Sequence, residues 1–74
     1  MTLQDFITER KMLVCEYEKF RARVAHPDYR LSWTGEQWKN RMSGRTQLKD
    51  SEIFLLGCIL DEIRLESRKD AQQL

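Results

Sequence analysis

Apolar residues recur early in the chain at Leu3, Phe6, Ile7, Leu13, Val14, Tyr17, Phe20 and Val24. Steps of three and four positions draw one stripe along a helix, and here they predict a single long helix over residues 3–25. Thr2 suits its N-cap, and Asp5 three residues on resembles the partner of a capping box, although Asp is shorter than the usual Glu. Arg10 interrupts the stripe, but its long stem can lie along a core while the charge stays in water. Pro27 disfavours a helical conformation at His26, so the stretch from His26 to Arg30 reads as a turn.

The second helix carries the clearest local code. Thr34 and Gln37 have the spacing of a capping box, and Trp33 and Trp38 then occupy the two positions of a hydrophobic staple. Glu36 complements the helix dipole, and Gly44 after Ser43 suits the position just past the C-cap. The helix is predicted over residues 35–43. The third segment starts near Leu48 to Asp50 and runs to about Ser67. Ile53, Leu56, Leu60 and Ile63 form one stripe, and Phe54, Leu55, Cys58 and Ile59 widen it until Ile53 to Leu60 is apolar nearly all round. Such a helix is either central in its fold or buried against a second chain, so a homodimer through Ile53 to Leu60 is one expectation. Gly57 inside it costs about 1 kcal/mol relative to Ala and could permit close helix approach.

No sustained apolar–polar alternation competes as a strand signal. The predicted architecture is all-α: a small three-helix domain made of a long helix, a short capped helix and a long apolar helix. The domain spans residues 1–67, followed by a frayed polar tail over residues 68–74.

Charge changes this picture. The 74 residues hold 13 Lys and Arg against 12 Asp and Glu, a formal net charge of +1. Counted by segment, residues 1–18 carry −2, residues 19–49 carry +6 and residues 50–74 carry −3. A basic middle could face an anionic partner such as duplex DNA or an acidic protein surface. Alternatively, the acidic ends pack beside the middle and neutralise it.

Enzyme constellations are missing from the sequence: there is no G-x-S-x-G, no glycine-rich phosphate loop and no H-E-x-x-H. Asp61 and Glu62 are adjacent and point to different helix faces. His26 has no identifiable partner and reads as a capping or solvent residue. The expectation is a protein without enzymatic activity, cofactor or metal. Cys15 and Cys58 lie far apart, without C-x-x-C pairing, each in an apolar stretch. Buried free thiols are expected, with a disulfide between them as the alternative. No secretory leader or membrane-spanning run is visible, so a reducing cytoplasm is the expected compartment.

Lys39, Arg41, Arg45 and Lys49 sit on or just after the short helix, with Gln37 and Asn40 among them. Arg and Lys contact phosphates or guanine edges, whereas Asn and Gln can pair with adenine. The stretch WKNRMSGRTQLKDSEI, residues 38–53, with the apolar helix that follows, resembles part of the phage repressor and Cro-type helix-turn-helix domains. In that family a recognition helix often ends in a pattern like R-L-x-G-R-x-x-L-x-x-x-E-I. The resemblance implies a small phage-type regulator of transcription that binds DNA, usually as a dimer. Thr34, Gln37, Asn40 and Arg41 would face base edges, and Lys39, Arg45 and Lys49 would contact phosphates. The competing reading is a small inhibitor or adaptor that binds another protein. It rests on Tyr29, Arg30, Trp33 and Trp38, residue types that dominate interface hot spots. Either way, the partner is expected to meet the stretch from Arg30 to Lys49.

Overall fold

The structure, a computed structural model, describes residues 1–72, with side-chain detail through Arg68. The fold is all-α, but the described residues form four helices rather than three. They are α1 (Leu3–Glu9), α2 (Val14–Ala25), α3 (Gly35–Met42) and α4 (Asp50–Gln72).

The predicted long first helix breaks in two. Lys11 takes a left-handed conformation with φ of 51°. The Lys11 amide donates to the Thr8 carbonyl (3.1 Å) and the Met12 amide to the Ile7 carbonyl (3.3 Å). This is the two-bond Schellman ending, with lysine where glycine is usual. Leu13 then serves as the N-cap residue of α2. It has no side-chain oxygen to offer, but the Glu16 carboxylate accepts from its amide at 2.9 Å. The break turns the residues beside it outward, while Tyr17, Phe20 and Val24 still meet the core as the stripe predicts. Leu13 is 62% and Val14 78% exposed, although both belonged to the predicted stripe. Cys15 is exposed as well.

Local codes elsewhere behave as their chemistry requires. Thr2 and Asp5 form a reciprocal capping box, as do Thr34 and Gln37. The Trp33 and Trp38 rings meet at 6.5 Å between centroids, closing the staple. Ser43 caps α3, and Gly44 follows with φ of 84°. The positive φ favours glycine here, and a Cβ at Gly44 would sit a tight 3.3 Å from the Thr2 methyl. His26 ends α2, and its Nδ1 accepts the Asp28 amide in the turn that follows.

The core runs from Leu3 and Phe6 through Phe20 and Val24 to Trp33 and Trp38, and is closed by Leu48, Leu56, Ile59, Leu60 and Ile63. α2 packs along α4, and α1 packs on α3. Phe6 stacks on Phe20, and Phe20 and Tyr17 each meet Trp38 edge-on at 6.0 Å. α4 is not apolar all round in its setting. Leu56, Ile59 and Leu60 are buried within the chain, Ile53 and Leu55 are half-buried, and Phe54 and Cys58 face outward. The expected burial of both thiols is therefore overturned, because each projects from a helix face turned away from the core; both are free. α4 also runs past Ser67 to Gln72, so the tail predicted from residue 68 is helical where described, and residues 73–74 lie outside the described residues. Among the described residues no helix is long and apolar enough to cross a membrane.

Candidate interaction surfaces

Three arginines clasp α4 to its neighbours, each through a glutamate. Arg64 of α4 donates from Nε to Glu16 at 2.9 Å and from Nη2 to the Arg10 carbonyl at 2.7 Å. One guanidinium thus ties down the corner where α1 ends and α2 begins. Arg23 of α2 pairs with Glu66 and lies 3.6 Å from Glu62. Arg41 of α3 reaches Glu52 at 2.9 and 3.1 Å, and Glu52 also accepts the Lys49 amide at 2.9 Å. Planar guanidinium groups suit such multi-point pairing with carboxylates. The Arg64 guanidinium, followed by the Leu13 amide, holds the Glu16 carboxyl below its ordinary range. Glu66 pushes the Arg23 guanidinium still higher. The acidic C-terminal segment thereby neutralises part of the basic middle, through Arg23 and Arg41.

These clasps rearrange the predicted base-reading set. Arg41 is committed: its side chain is only 14% exposed, it also donates to the Gln37 carbonyl, and its guanidinium stacks 4.4 Å over the Trp33 ring. Thr34 and Gln37 spend their side chains on each other's backbone amides at 3.2 and 2.8 Å. Asn40 is half-buried. Exposed and uncommitted are Lys39, Arg45 and Lys49, which make no ion pair among the described residues. Glu36 is exposed on the same helix. The loop joining α2 to α3 spans residues 26–34, longer than the three- or four-residue turn of a helix-turn-helix.

The predicted protein-binding set also divides. Trp33 and Trp38 are 5% and 7% exposed and serve the core and the staple, so neither offers its indole to a partner. The physical reason is the staple itself, which turns both rings inward. Tyr29 and Arg30 do reach a surface. With Asp28, Leu31, Leu55, Cys58, Ile59 and Glu62 they line a groove of about 240 Å³.

That groove borders the surplus apolar surface that the sequence had marked between Ile53 and Leu60, which the fold narrows to one face of α4 and extends to Leu65. On α4, Phe54, Cys58, Asp61 and Leu65 follow one another by four, three and four residues, on the face opposite Leu56, Leu60 and Ile63. Phe54 is 70% and Leu65 52% exposed. On the other flank of Phe54, Arg10, Asp50, Ile53, Gly57, Cys58 and Asp61 line a shallow groove of about 380 Å³. The spacing was visible in the sequence, but only the fold shows which of two apolar stripes on α4 is left over. No three His, Cys, Asp or Glu side chains converge as metal ligands among the described residues. No protein-family description, curated protein or solved structure matches this chain.

Proposed function

We propose that this chain is a small, non-enzymatic protein-interaction module of the inhibitor or adaptor kind, and that the outward face of α4 does the binding. The observation that carries this reading is the exposure of Phe54 and Leu65 on a helix whose opposite face is fully buried. Large apolar side chains aligned on one surface favour association with another protein, whereas single scattered ones would not. The neighbouring Tyr29 and Arg30 add residue types that anchor interfaces. Two exposed free thiols suit a reducing, cytoplasmic setting.

A second reading, a small DNA-binding regulator, is favoured by Lys39, Arg45 and Lys49, which are exposed and unpaired among the described residues. In this form it rests on phosphate contacts, because Thr34, Gln37 and Arg41 are occupied within the fold. One pair of measurements separates the two. At about 1 μM protein a hydrophobic dye should fluoresce on the wild type and several-fold less on Phe54→Ser/Leu65→Ser, with unchanged circular dichroism. Duplex DNA should show no retardation at about 50 mM salt. A retarded band that weakens steeply with salt, and vanishes in Lys39→Glu/Arg45→Glu/Lys49→Glu, would replace the first reading by the second.

A further inference from the structure

Phe54, Cys58, Asp61 and Leu65 have the four-three-four spacing of a seam between two helices. An isologous interface requires one surface to complement itself about a two-fold axis. This seam does so in one direction only. Asp50 and Arg68 lie on the same line of α4, five helical turns apart at about 3.6 residues per turn. Both are exposed, and neither has an ion pair among the described residues. A parallel pair of α4 helices would set Asp50 beside Asp50 and Asp61 beside Asp61. An antiparallel pair instead sets Asp50 of each copy beside Arg68 of the other, twice.

We infer that the occupant of the outward α4 face is a second copy of this chain, with the two α4 helices antiparallel. In that arrangement Phe54 faces the second copy's Leu65. Leu65 drops between Asp50, Ile53, Phe54 and Gly57, the floor of the 380 Å³ groove. The second copy's Asp61 falls over Gly57 and Cys58. There it meets Arg10, whose Nη2 lies 3.9 Å from where a Gly57 Cβ would sit. Knobs, recess and both unlike-charge pairs therefore come from one surface. The seam is short, so the dimer belongs to the small, reversible class, with dissociation constants of about 1–100 μM.

This inference rests on the protein-interaction reading above, and the test keeps the two apart. Sedimentation equilibrium is run under reductant, from about 1 to 300 μM, so that no disulfide contributes. The wild type should shift from monomer to dimer across that range. Phe54→Ser/Leu65→Ser should stay monomeric with unchanged thermal stability, because both side chains are exposed in the monomer. Asp50→Arg and Arg68→Asp should each weaken association roughly ten-fold, and the double exchange should restore it to within about three-fold. Only an antiparallel pair gives that rescue. A wild type that stays monomeric throughout overturns the second-copy assignment, as does a double exchange that fails to restore the dimer. Neither result touches the dye-binding arm, which alone decides whether the α4 face is adhesive.

Discussion

Replacing Glu16 by alanine should lower stability by about 2–3 kcal/mol, most of it through the contact with Arg64. The Glu16 side chain is 10% exposed, and its two oxygens are shared between Arg64 and the Leu13 amide. Oε2 accepts Arg64 Nε at 2.9 Å, while Oε1 accepts the Leu13 amide at 2.9 Å. A charge-assisted bond contributes about 1.5–3 kcal/mol when desolvated, and Arg64, at one-third exposure, keeps the value near the lower end. Loss of the bond to the first turn of α2 adds about 0.5–1 kcal/mol. In a domain of this size the total lowers the melting temperature by roughly 10–20 °C. Urea unfolding followed by tryptophan fluorescence reads it directly, because Trp33 and Trp38 are both buried. The Glu16→Ala, Arg64→Ala cycle should give a coupling energy of about 1–2 kcal/mol. The acid limb gives an independent check. Arg64 lowers the folded-state pKa of Glu16 below its ordinary 4.5. Its contribution is therefore present above that value and is lost as pH falls through the lower folded-state value. Glu16→Gln should flatten that part of the stability curve. A coupling below about 0.3 kcal/mol, or an unchanged acid limb, would refute the claim that this clasp fixes the α1–α2 corner.

Arg41→Ala should destabilise the fold by about 2–3 kcal/mol in urea, since it strips Glu52 of its cationic partner, leaving only the Lys49 amide, and Trp33 of its stacked cation. Arg41→Lys should recover less than half, because an ammonium cannot reproduce the fork. Lys11→Gly should stabilise by about 0.5–1 kcal/mol, as glycine adopts the left-handed ending of α1 without strain; an equal loss in chemical denaturation would show that the lysine is not strained. Gly57→Ala should raise the melting temperature of dilute protein by a few degrees, since the added Cβ meets only Arg10 at 3.9 Å and the helix gains about 1 kcal/mol of propensity.

Much of the local structure was legible because its causes lie within three to five residues. Thr2 with Asp5, Thr34 with Gln37, the Trp33–Trp38 staple and Gly44 all act over that distance and appear where the sequence places them. The α1–α2 break was not legible for a related reason. Its ending uses Lys11 in a conformation normally marked by glycine, and its support comes from Arg64, 48 residues from Glu16. The candidate site suffered most. Lys39, Arg45 and Lys49 stay exposed, but Arg41 looked equally free and is held by a glutamate 11 residues on. Trp33 and Trp38 looked like anchors for a partner and are core residues.

The sequence by itself determined that this protein is all-α, where its short helix begins and ends, and that α4 carries more apolar surface than one face needs. Those properties follow from hydrogen bonds and side-chain spacings within a single turn or a single helix. Only the tertiary structure decided which stripe of α4 meets the core, which arginines are spent on glutamates and which cations are left over. Burial and the contacts of charged side chains are settled between segments as much as 54 residues apart, and no local pattern records which partner a long charged side chain will find. The near-neutral total charge was thus uninformative, and the arrangement of Arg23, Arg41 and Arg64 around α4 was the physical content it concealed.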